Sequence, residues 1–502
     1  MRNLGFFAIF LGLFFFAGNA SATTYYVDYA SGSDANSGTS NTAPWMHVPG
    51  MQGCSAVCAA TAPKPADSFI LKGGVTWPNA SFPILWSWSG TSGNPIYIGV
   101  DKTWYAGSSW TRPIFDAQDT VIGGTWNMFL HFVTSGVTYV AVDNIEMKGI
   151  TWNSVPTYGH LAYITTNTAS HITLTNLYMH RWTHTGTGGD NLIVVLGDTN
   201  SPYAAGSVCD YCIIDGSDGS SDSGVAFYGF PSVTHSVIHD LPNGILTCGH
   251  GELGFNHIYN IKTSVDAPTV HENAIETLTP GAGIFYIHDN VIHDMAIGES
   301  MMTGNTNETD YIWNNIIYNL AGGNPFHFPQ NTGQTVTAIH YWNNTIVPQS
   351  GQNCLIQAFA SGTVGTLDFQ NNHCITTTSA VNGAISIVST LNINNNVLQT
   401  PTQATTQGFT TSETYVYSPS TTNSSTVASG VNLSSNCSGA LAGLCRDTGY
   451  ACIVDATKQV VCPARTAVTR PSGSAAWDKS AYMLVSSASQ PAAPLNLTAI
   501  VQ

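Results

Sequence analysis

Charged residues are scarce in this chain of 502 residues. Asp, Glu, Lys and Arg together make up only 8% of it, and Lys and Arg number 13. Nucleic-acid binding depends on clustered basic side chains, so we expect no nucleic-acid partner. The formal net charge of −16 would also repel strongly anionic polymers unless calcium screened them. Neutral polymers are therefore the more favourable partners.

Apolar runs long enough to span a membrane are also lacking, and the one marked apolar run lies at the N-terminus. Arg2 precedes the apolar residues 4–17, and Ala20-Ser21-Ala22 follows them. A short positive region, an apolar run and a small-residue cleavage site are typical of a secretory signal peptide. We therefore expect a secreted protein with no membrane span, whose mature chain begins near Thr23.

What the chain does contain is a short repeat: Asn, then two or three apolar or β-branched residues, then a polar residue. Ten copies divide the 252 residues from Asn144 to Asn396 into nine intervals, a mean of 28 residues. A unit this short cannot bury its own apolar face, so it must stack on its neighbours. The runs are strand-like, which predicts an all-β protein of about ten or more stacked coils. The copies begin at Asn144, Asn176, Cys212, Ser236, Asn256, Asn290, Asn315, Asn344, Asn372 and Asn396.

The recurrent Asn has two expected uses. It tolerates the left-handed backbone region at a tight turn. Its amide can also bond to the Asn of the next coil.

Short motifs at both ends of the chain support this architecture. They are residues 25–28 (YYVD), 32–34 (GSD), 44–45 (PW), 67–74 (DSFILKGG), 94–98 (NPIYI) and 477–482 (WDKSAY). With them the sequence resembles the pectate-lyase-like superfamily of secreted polysaccharide-active proteins. The resemblance implies a single-stranded, right-handed parallel β-helix. It leaves the reaction open, because the superfamily includes lyases, hydrolases, esterases and non-enzymes.

The same features predict five segments. A signal peptide covers 1–22, and an N-terminal cap with the first coils covers 23–143. The β-helix body covers 144–400. A loosely structured C-terminal cap with a cysteine cluster, sealing the last coil, covers 401–488, and a linker covers 489–502.

Eleven cysteines in an exported chain predict disulfides and one remaining thiol. Cys248 is the expected thiol. We prefer disulfides to zinc in the C-terminal group, because it lacks paired C-x-x-C motifs. The expected partners are Cys54 with Cys58, Cys209 with Cys212, Cys354 with Cys374 across neighbouring coils, and unassigned pairs among Cys437, Cys445, Cys452 and Cys462.

The strands that precede the Asn positions suggest a site. Because side chains alternate across a strand, one set of residues points inward and the next outward. With Val225, Ile245, Ile275 and Phe326 inward, the expected outward column is Ala226, Leu246, Glu276, Glu299 and His327. Stacked coils lie about 4.8 Å apart, so Glu276 and Glu299 would approach the roughly 5 Å spacing of a retaining glycosidase. His271 and Glu272 are expected at the rim.

Three other interpretations of this column stay open. The glutamates could form a plain structural ladder, or Glu276 and Glu299 could bind calcium. A register shift of one residue would turn Glu276 inward. The pairs His288-Asp289 and His293-Asp294 also look metal-like, although they fall at the turns.

The leading hypothesis is a monomeric extracellular enzyme that degrades a polysaccharide, a glycoside hydrolase that requires no cofactor. Glu276 and Glu299 would be acid/base and nucleophile, assisted by His271, Glu272 and His327. One alternative is a calcium-dependent lyase acting by β-elimination, with Lys148, Arg181 and Lys262 as the few basic candidates. The other is a non-catalytic glycan-binding or adhesion protein.

Overall fold

The structure, a computed structural model, describes residues 22–123, 127–133, 136–152, 162–166, 168–184, 192–197, 204–218, 224–263, 272–382, 385–462 and 465–485. The predicted signal peptide, apart from Ala22, the predicted linker and His271 lie outside these residues. Within them, no helix has the length and apolar character needed to cross a membrane.

The chain winds into a parallel β-helix, as the repeat predicts. Each complete coil supplies strands to three stacks of parallel strands, here called sheets 1, 2 and 3 in their order within a coil. Two long strands pass from sheet 1 into sheet 2, so hydrogen bonding joins these two into one sheet of 21 described strands.

Sheet 1 consists of Ile84–Trp86, Leu130–Phe132, Ile164–Thr165, Ile193–Leu196, Val225–Tyr228, the first parts of Asn243–Gly254 and Asn273–His288, Gly298–Met302, Gly323–Phe328 and Leu355–Gln357.

Sheet 2 consists of Thr24–Val27, Ser68–Gly73, Ile96–Tyr105, Thr138–Asp143, Ser170–Thr175, Val208–Asp210, Ser232–Thr234, the second parts of the two long strands, Glu308–Trp313, Thr335–Trp342, Thr363–Gln370 and Val388–Asn394.

Sheet 3 consists of Thr76–Pro78, Ile114–Thr120, Glu146–Trp152, Tyr178–His180, Ile213–Asp215, Val237–His239, His257–Ile261, Val291–Met295, Ile316–Leu320, Thr345–Ile346, His373–Ile375 and Val397–Gln399, with Thr183–His184 beside Glu146–Trp152.

The remaining elements are short. They are the α-helices Ala56–Ala60 and Pro401–Thr406, the 3-10 turns Asn79–Ser81, Ser434–Asn436 and Gly439–Cys445, and the hairpin strands Ile453–Val454 and Val460–Val461.

The core is a continuous apolar column that fills the interior of the coils. The register of the strands in sheet 2 explains why this column is regular. On successive coils Phe285 pairs with Asp310, Asp310 with Ile339, and Ile339 with Leu367. The three apolar members of this series are fully buried. Each coil thus covers the apolar side chains of the one before it, which a single repeat could not do alone.

The Asn ladder lies at the turn between sheets 2 and 3. The two roles predicted for one Asn, the left-handed conformation and the amide hydrogen bonds, belong to two adjacent residues. Asn315 donates from Nδ2 to the carbonyl oxygen of Ile287, and its Oδ1 accepts from the backbone N–H of Asn290. The residue before each ladder position takes the left-handed conformation, as Asn314 does at φ 57°. The two copies at Asn144 and Asn176 occupy this left-handed position, so the predicted alignment is wrong there by one residue.

Five disulfides confirm the cysteine prediction. They join Cys54 to Cys58, Cys209 to Cys212, Cys354 to Cys374, Cys437 to Cys445 and Cys452 to Cys462. Cys248 is buried and forms none. The Cys354–Cys374 bond lies within one coil, from the start of its sheet 1 strand to its sheet 3 strand, rather than between neighbouring coils. The C-terminal four are paired, which removes their thiolates as zinc ligands.

The segment 401–485, here called the C-terminal strap, does not seal the last coil as expected. It runs back along the flank of the β-helix beside the Asn ladder. Asn371 Nδ2 donates to the carbonyl of Val431, and Asn343 Nδ2 to that of Asp478. Far up the helix, Arg112 Nη1 donates to the carbonyl of Lys458 at 2.6 Å.

Candidate functional site

The outward column of sheet 1 differs from the predicted one at two coils. Leu246 pairs with Glu276, Glu276 with Met302, and Met302 with His327. Met302 therefore stands where Glu299 was predicted, so the proposed direct stacking of Glu276 on Glu299 is wrong. At the upper end Tyr228, not Ala226, shares the column.

Loop length is the physical reason for the difference. The connection from Met295 to the next strand is short, and that strand begins at Gly298 and turns Met301 into the core. Glu299 then pairs with Asn273 on one side and Asn324 on the other, three residues before the Glu276 position. Val225 is likewise outside the main core, because Phe227 takes the inward position that pairs with Ile245.

Glu276 is held by two side-chain amides. Its Oε2 accepts a 2.6 Å hydrogen bond from Asn273 Nδ2, and its Oε1 accepts a 2.7 Å bond from Gln330 Nε2. The residue is buried at 5% exposure between Leu246 and Met302. A buried carboxyl group that accepts hydrogen bonds on both oxygens is fixed in orientation.

Glu299 and His327 form a second pair on the next two coils. Glu299 Oε1 lies 3.1 Å from His327 Nδ1, the distance of an ion pair, although the angle is not that of an aligned hydrogen bond. Asn324 Nδ2 donates to the same oxygen at 3.0 Å. Among the described residues, Glu299 Oε2 is buried and has no hydrogen-bond donor.

Asn273 connects the two pairs. Its Nδ2 bonds Glu276, and its Oδ1 accepts from the backbone N–H of Glu299 at 2.9 Å. Its own N–H donates to Oδ1 of Asn243 on the preceding coil. Sequence reasoning missed this short second ladder, although Asn243, Asn273 and Asn324 each stand two residues before an inward apolar residue. That repeated offset is the signal that could have found it.

Of the two residues predicted at the rim of the site, the structure describes only Glu272. Glu272 is buried at 5% exposure directly before Asn273, and its carbonyl oxygen accepts from the N–H of Glu299. Gly298 packs against this carbonyl so closely that a Cβ there would lie 1.3 Å from it. The backbone of Glu272 therefore helps to set the position of Glu299. His271 lies outside the described residues.

The three basic candidates for a lyase base lie on or after sheet 3 rather than on sheet 1. Lys148 lies 3.5 Å from Glu146, and Lys262 lies 3.3 Å from Asp240. Arg181 donates from Nε and Nη2 to the two carboxylate oxygens of Asp119 at 2.8 Å. None of them is placed to act beside Glu276.

The two metal-like His-Asp pairs are hydrogen-bonded pairs. His288 lies with Nδ1 2.9 Å from Asp289 and Nε2 3.1 Å from Glu252, so both ring nitrogens face carboxylates. Burial opposes its charge, but these two contacts outweigh burial and raise the pKa of His288. His293 Nδ1 lies 2.7 Å from Asp294. In the part of the chain that the structure describes, no group of three or more His, Cys, Asp or Glu is arranged to hold a metal ion.

A further acidic pair, which sequence reasoning missed, lies inside the β-helix. Asp310 occupies an inward position of sheet 2 and, like Glu308, is fully buried. Burial is the main cause that raises the pKa of Asp310 well above its ordinary value, and the nearby charge of Glu308 raises it further. The alternation of the strand contains the signal, because Asp310 stands two residues before the inward Ile312.

The chain is similar to several solved structures but matches no family model and no curated protein by sequence. Among solved structures it is similar to a GH136 lacto-N-biosidase from Eubacterium ramulus, with 13% identity, a TM-score of 0.45, and coverage of 75% of this chain and 68% of that one. It is also similar to pectate lyase Pel9A, with 16% identity, a TM-score of 0.44 and coverage of 83% and 94%. A third is a rhamnogalacturonan lyase, with 12% identity, a TM-score of 0.43 and coverage of 75% and 87%.

Proposed function

We propose that the protein is a carbohydrate-active enzyme that hydrolyses a polysaccharide on the outer side of sheet 1. The observation that carries this proposal is the bridge made by Asn273, which binds the carboxylate of Glu276 and the backbone of Glu299. Cleavage of a glycosidic bond typically uses a pair of carboxyl groups, and here two are held on adjacent coils of one sheet.

The surroundings of the two glutamates suggest separate roles. Glu276 accepts amide donors on both oxygens, which suits the ionised carboxylate that attacks C1 or activates water. Glu299 Oε2 lacks a donor, which suits the oxygen that carries a proton to the glycosidic oxygen. In the net reaction the bond between C1 and the glycosidic oxygen breaks. Water contributes a hydroxyl group to C1 and a proton to the leaving glycosidic oxygen. His327, and at the rim Glu272 and His271, are proposed to assist.

The substrate is proposed to be a neutral polymer. The chain carries a formal net charge of −16, and the column beside the glutamates contains the uncharged Leu246 and Met302. An anionic chain would approach against repulsion, whereas a neutral glycan would not.

Calcium does not fit the two glutamates well. The groups that contact their carboxylate oxygens are the side-chain amides of Asn273, Gln330 and Asn324 and the imidazole of His327. A calcium ion binds six to eight oxygen atoms, so it would have to displace these groups. In the proposed reaction the two glutamates therefore act without a metal ion.

The test is a reducing-end assay across a panel of neutral and acidic polysaccharides, with and without chelator. Glu276→Gln and Glu299→Gln should each lower turnover by about a hundredfold or more, since each removes a proton-transfer or nucleophilic group. Glu252→Gln is the matched control, because that glutamate lies on sheet 2 with its side chain 51% exposed. Full activity in both sheet 1 variants would refute the proposal.

Lyase activity is the second candidate, and the contact between Glu299 and His327 favours it. A carboxylate beside Nδ1 orients an imidazole so that Nε2 can remove a proton. Elimination would give an unsaturated product that absorbs in the near ultraviolet, whereas hydrolysis would not. Loss of that absorbance in His327→Gln, with chelator having no effect, would assign the reaction to this pair.

A further inference from the structure

The last coil of the β-helix ends in open strand edges. Val388–Asn394 pairs with Thr363–Gln370, and Val397–Gln399 pairs with His373–Ile375. Among the described residues no strand pairs with the far edge of either. Their outward-facing peptide groups are therefore available for a further strand.

Apolar side chains from the core are exposed at this end. Leu391 and Ile393 continue the inward columns of Leu367 and Phe369, which are fully buried by the coil below them. At the end of the column the exposures rise to 46% for Leu391 and 38% for Ile393. Leu398, which follows the buried Cys374 on sheet 3, is 49% exposed.

The described residues that follow the last coil turn away from this surface. Directly after Gln399, the helix Pro401–Thr406 begins, and Ala404 and Phe409 pack on Ile375 at the side of sheet 3. The strap then continues along the flank. The N-terminal end of the helix differs, because there Trp45 is fully buried and its ring is stacked on Tyr25.

Residues 386–400 also lack the residue types that usually protect strand edges. Residues 386–400 contain no charged residue and no proline, although the chain as a whole has a net charge of −16. Native edges are normally blocked by charge, proline or a covering element. Residues 386–400 of two copies of this acidic chain could therefore meet without direct repulsion between like-charged side chains.

We propose that this end is an interface with a second copy of the same chain, stacked end to end about a two-fold axis. Every earlier coil is covered by the next coil of the same pattern. A second copy of the chain provides such a coil for the last one. Suppose that Val388–Asn394 pairs antiparallel with the same strand of the second copy, so that Leu391 lies opposite Leu391. Odd-numbered residues of one copy then lie opposite odd-numbered residues of the other. Leu391 and Ile393 of both copies then share one interior. Because the other end is covered, the assembly closes as a dimer instead of growing into a fibre.

The test is the molar mass of the full chain in solution, measured by light scattering and sedimentation across a wide range of protein concentration. The expected mass is twice that of one chain. Leu391→Lys and Ile393→Lys should each convert the dimer to monomer without loss of β structure, because each lysine places like charges at the interface. Ile284→Lys is the matched control: Ile284 is also 41% exposed, but it lies on the side of sheet 2, so this variant should stay dimeric.

Three results would overturn the proposal. The first is a monomeric wild-type chain at every concentration. The second is dimerisation only after residues 486–502 are deleted, which would show that the chain's own C-terminus covers the open end. The third is a dimer that persists unchanged in both lysine variants, which would place the interface elsewhere.

Discussion

At the turn between sheets 2 and 3, two neighbouring residues do what one Asn was expected to do. Asn314 takes the left-handed conformation and donates to the carbonyl of Arg446, while Asn315 carries the interior ladder. The left-handed position tolerates His235 and Phe255 in other coils, whereas the ladder position becomes Asn in every coil from Asn256 onward. The amide geometry is thus more demanding than the backbone conformation.

The buried Asp310 gives a prediction at the scale of one residue. Its pKa is raised in the folded protein, so its neutral form is favoured there. The stability that it contributes is complete below the unfolded pKa of 3.8 and is lost as pH rises towards the folded value. Asp310→Asn should remove this loss, so that the free energy of unfolding falls less from about pH 4 upward, by up to about 1.4 kcal/mol per pH unit.

Denaturant unfolding at several pH values measures this effect. The control is Asp101→Asn, because Asp101 is half-buried and the hydrogen bonds that its carboxylate accepts from Thr103 lower its pKa. That variant should not flatten the pH dependence. An Asp310→Asn variant with the wild-type slope would contradict the prediction.

At the scale of the element, the Asn ladder holds successive coils together at one corner. Asn315→Ala leaves the backbone N–H of Asn290 and the carbonyl of Ile287 buried without their partners. Each such unpaired group costs about 1–3 kcal/mol, so we expect a loss of about 2–5 kcal/mol in the free energy of unfolding. Chemical denaturation measures it.

Asn331→Ala provides the matched control for the ladder. Asn331 is exposed, and its Oδ1 accepts only a local hydrogen bond from Thr332. Its replacement should change the unfolding free energy by less than about 0.5 kcal/mol, as is usual for a surface position. Equal losses in the two variants would show that the ladder has no special role.

At the scale of the whole molecule, the C-terminal strap is anchored by one buried arginine. Arg470 donates to Asn314 Oδ1 at 2.9 Å and to the carbonyls of Asp478 and Ser480. Arg470→Ala leaves Asn314 Oδ1 and the carbonyl of Ser480 without this donor, whereas the carbonyl of Asp478 keeps the hydrogen bond from Asn343. Each unpaired acceptor costs about 1–3 kcal/mol, so we expect a loss of about 2–5 kcal/mol and faster proteolysis of the strap. Limited proteolysis with mass spectrometry measures it.

Arg446→Ala is the control for the strap, because the Arg446 side chain is exposed and its backbone carbonyl, which bonds Asn314, is unchanged. It should leave both stability and cleavage close to wild type. Cleavage spread evenly over the β-helix in Arg470→Ala would contradict a strap that opens by itself.

Much of the fold could be predicted from local patterns, but the site could be predicted only in part. Ile245, Ile275 and Phe326 are inward, and Leu246, Glu276 and His327 share a column, as the alternation indicated. Glu299 was assigned the wrong register, because the number of residues that a loop absorbs between two strands has no local signature. Glu276 is hydrogen-bonded by Asn273, 3 residues away, and by Gln330, 54 residues away. A strand pattern does not predict the second of these contacts.

The sequence by itself determined the coil, its mean length, the ladder and the cysteine pairs that are close in the chain. Each of these depends on contacts within a coil or between one coil and the next, so the repeat records them. Only the tertiary structure decided the offset of Glu299, the path of the strap and the exposure of the last coil among the described residues. These features depend on loop lengths and on contacts such as Arg112 with Lys458, 346 residues apart, for which no neighbouring residue carries a signal.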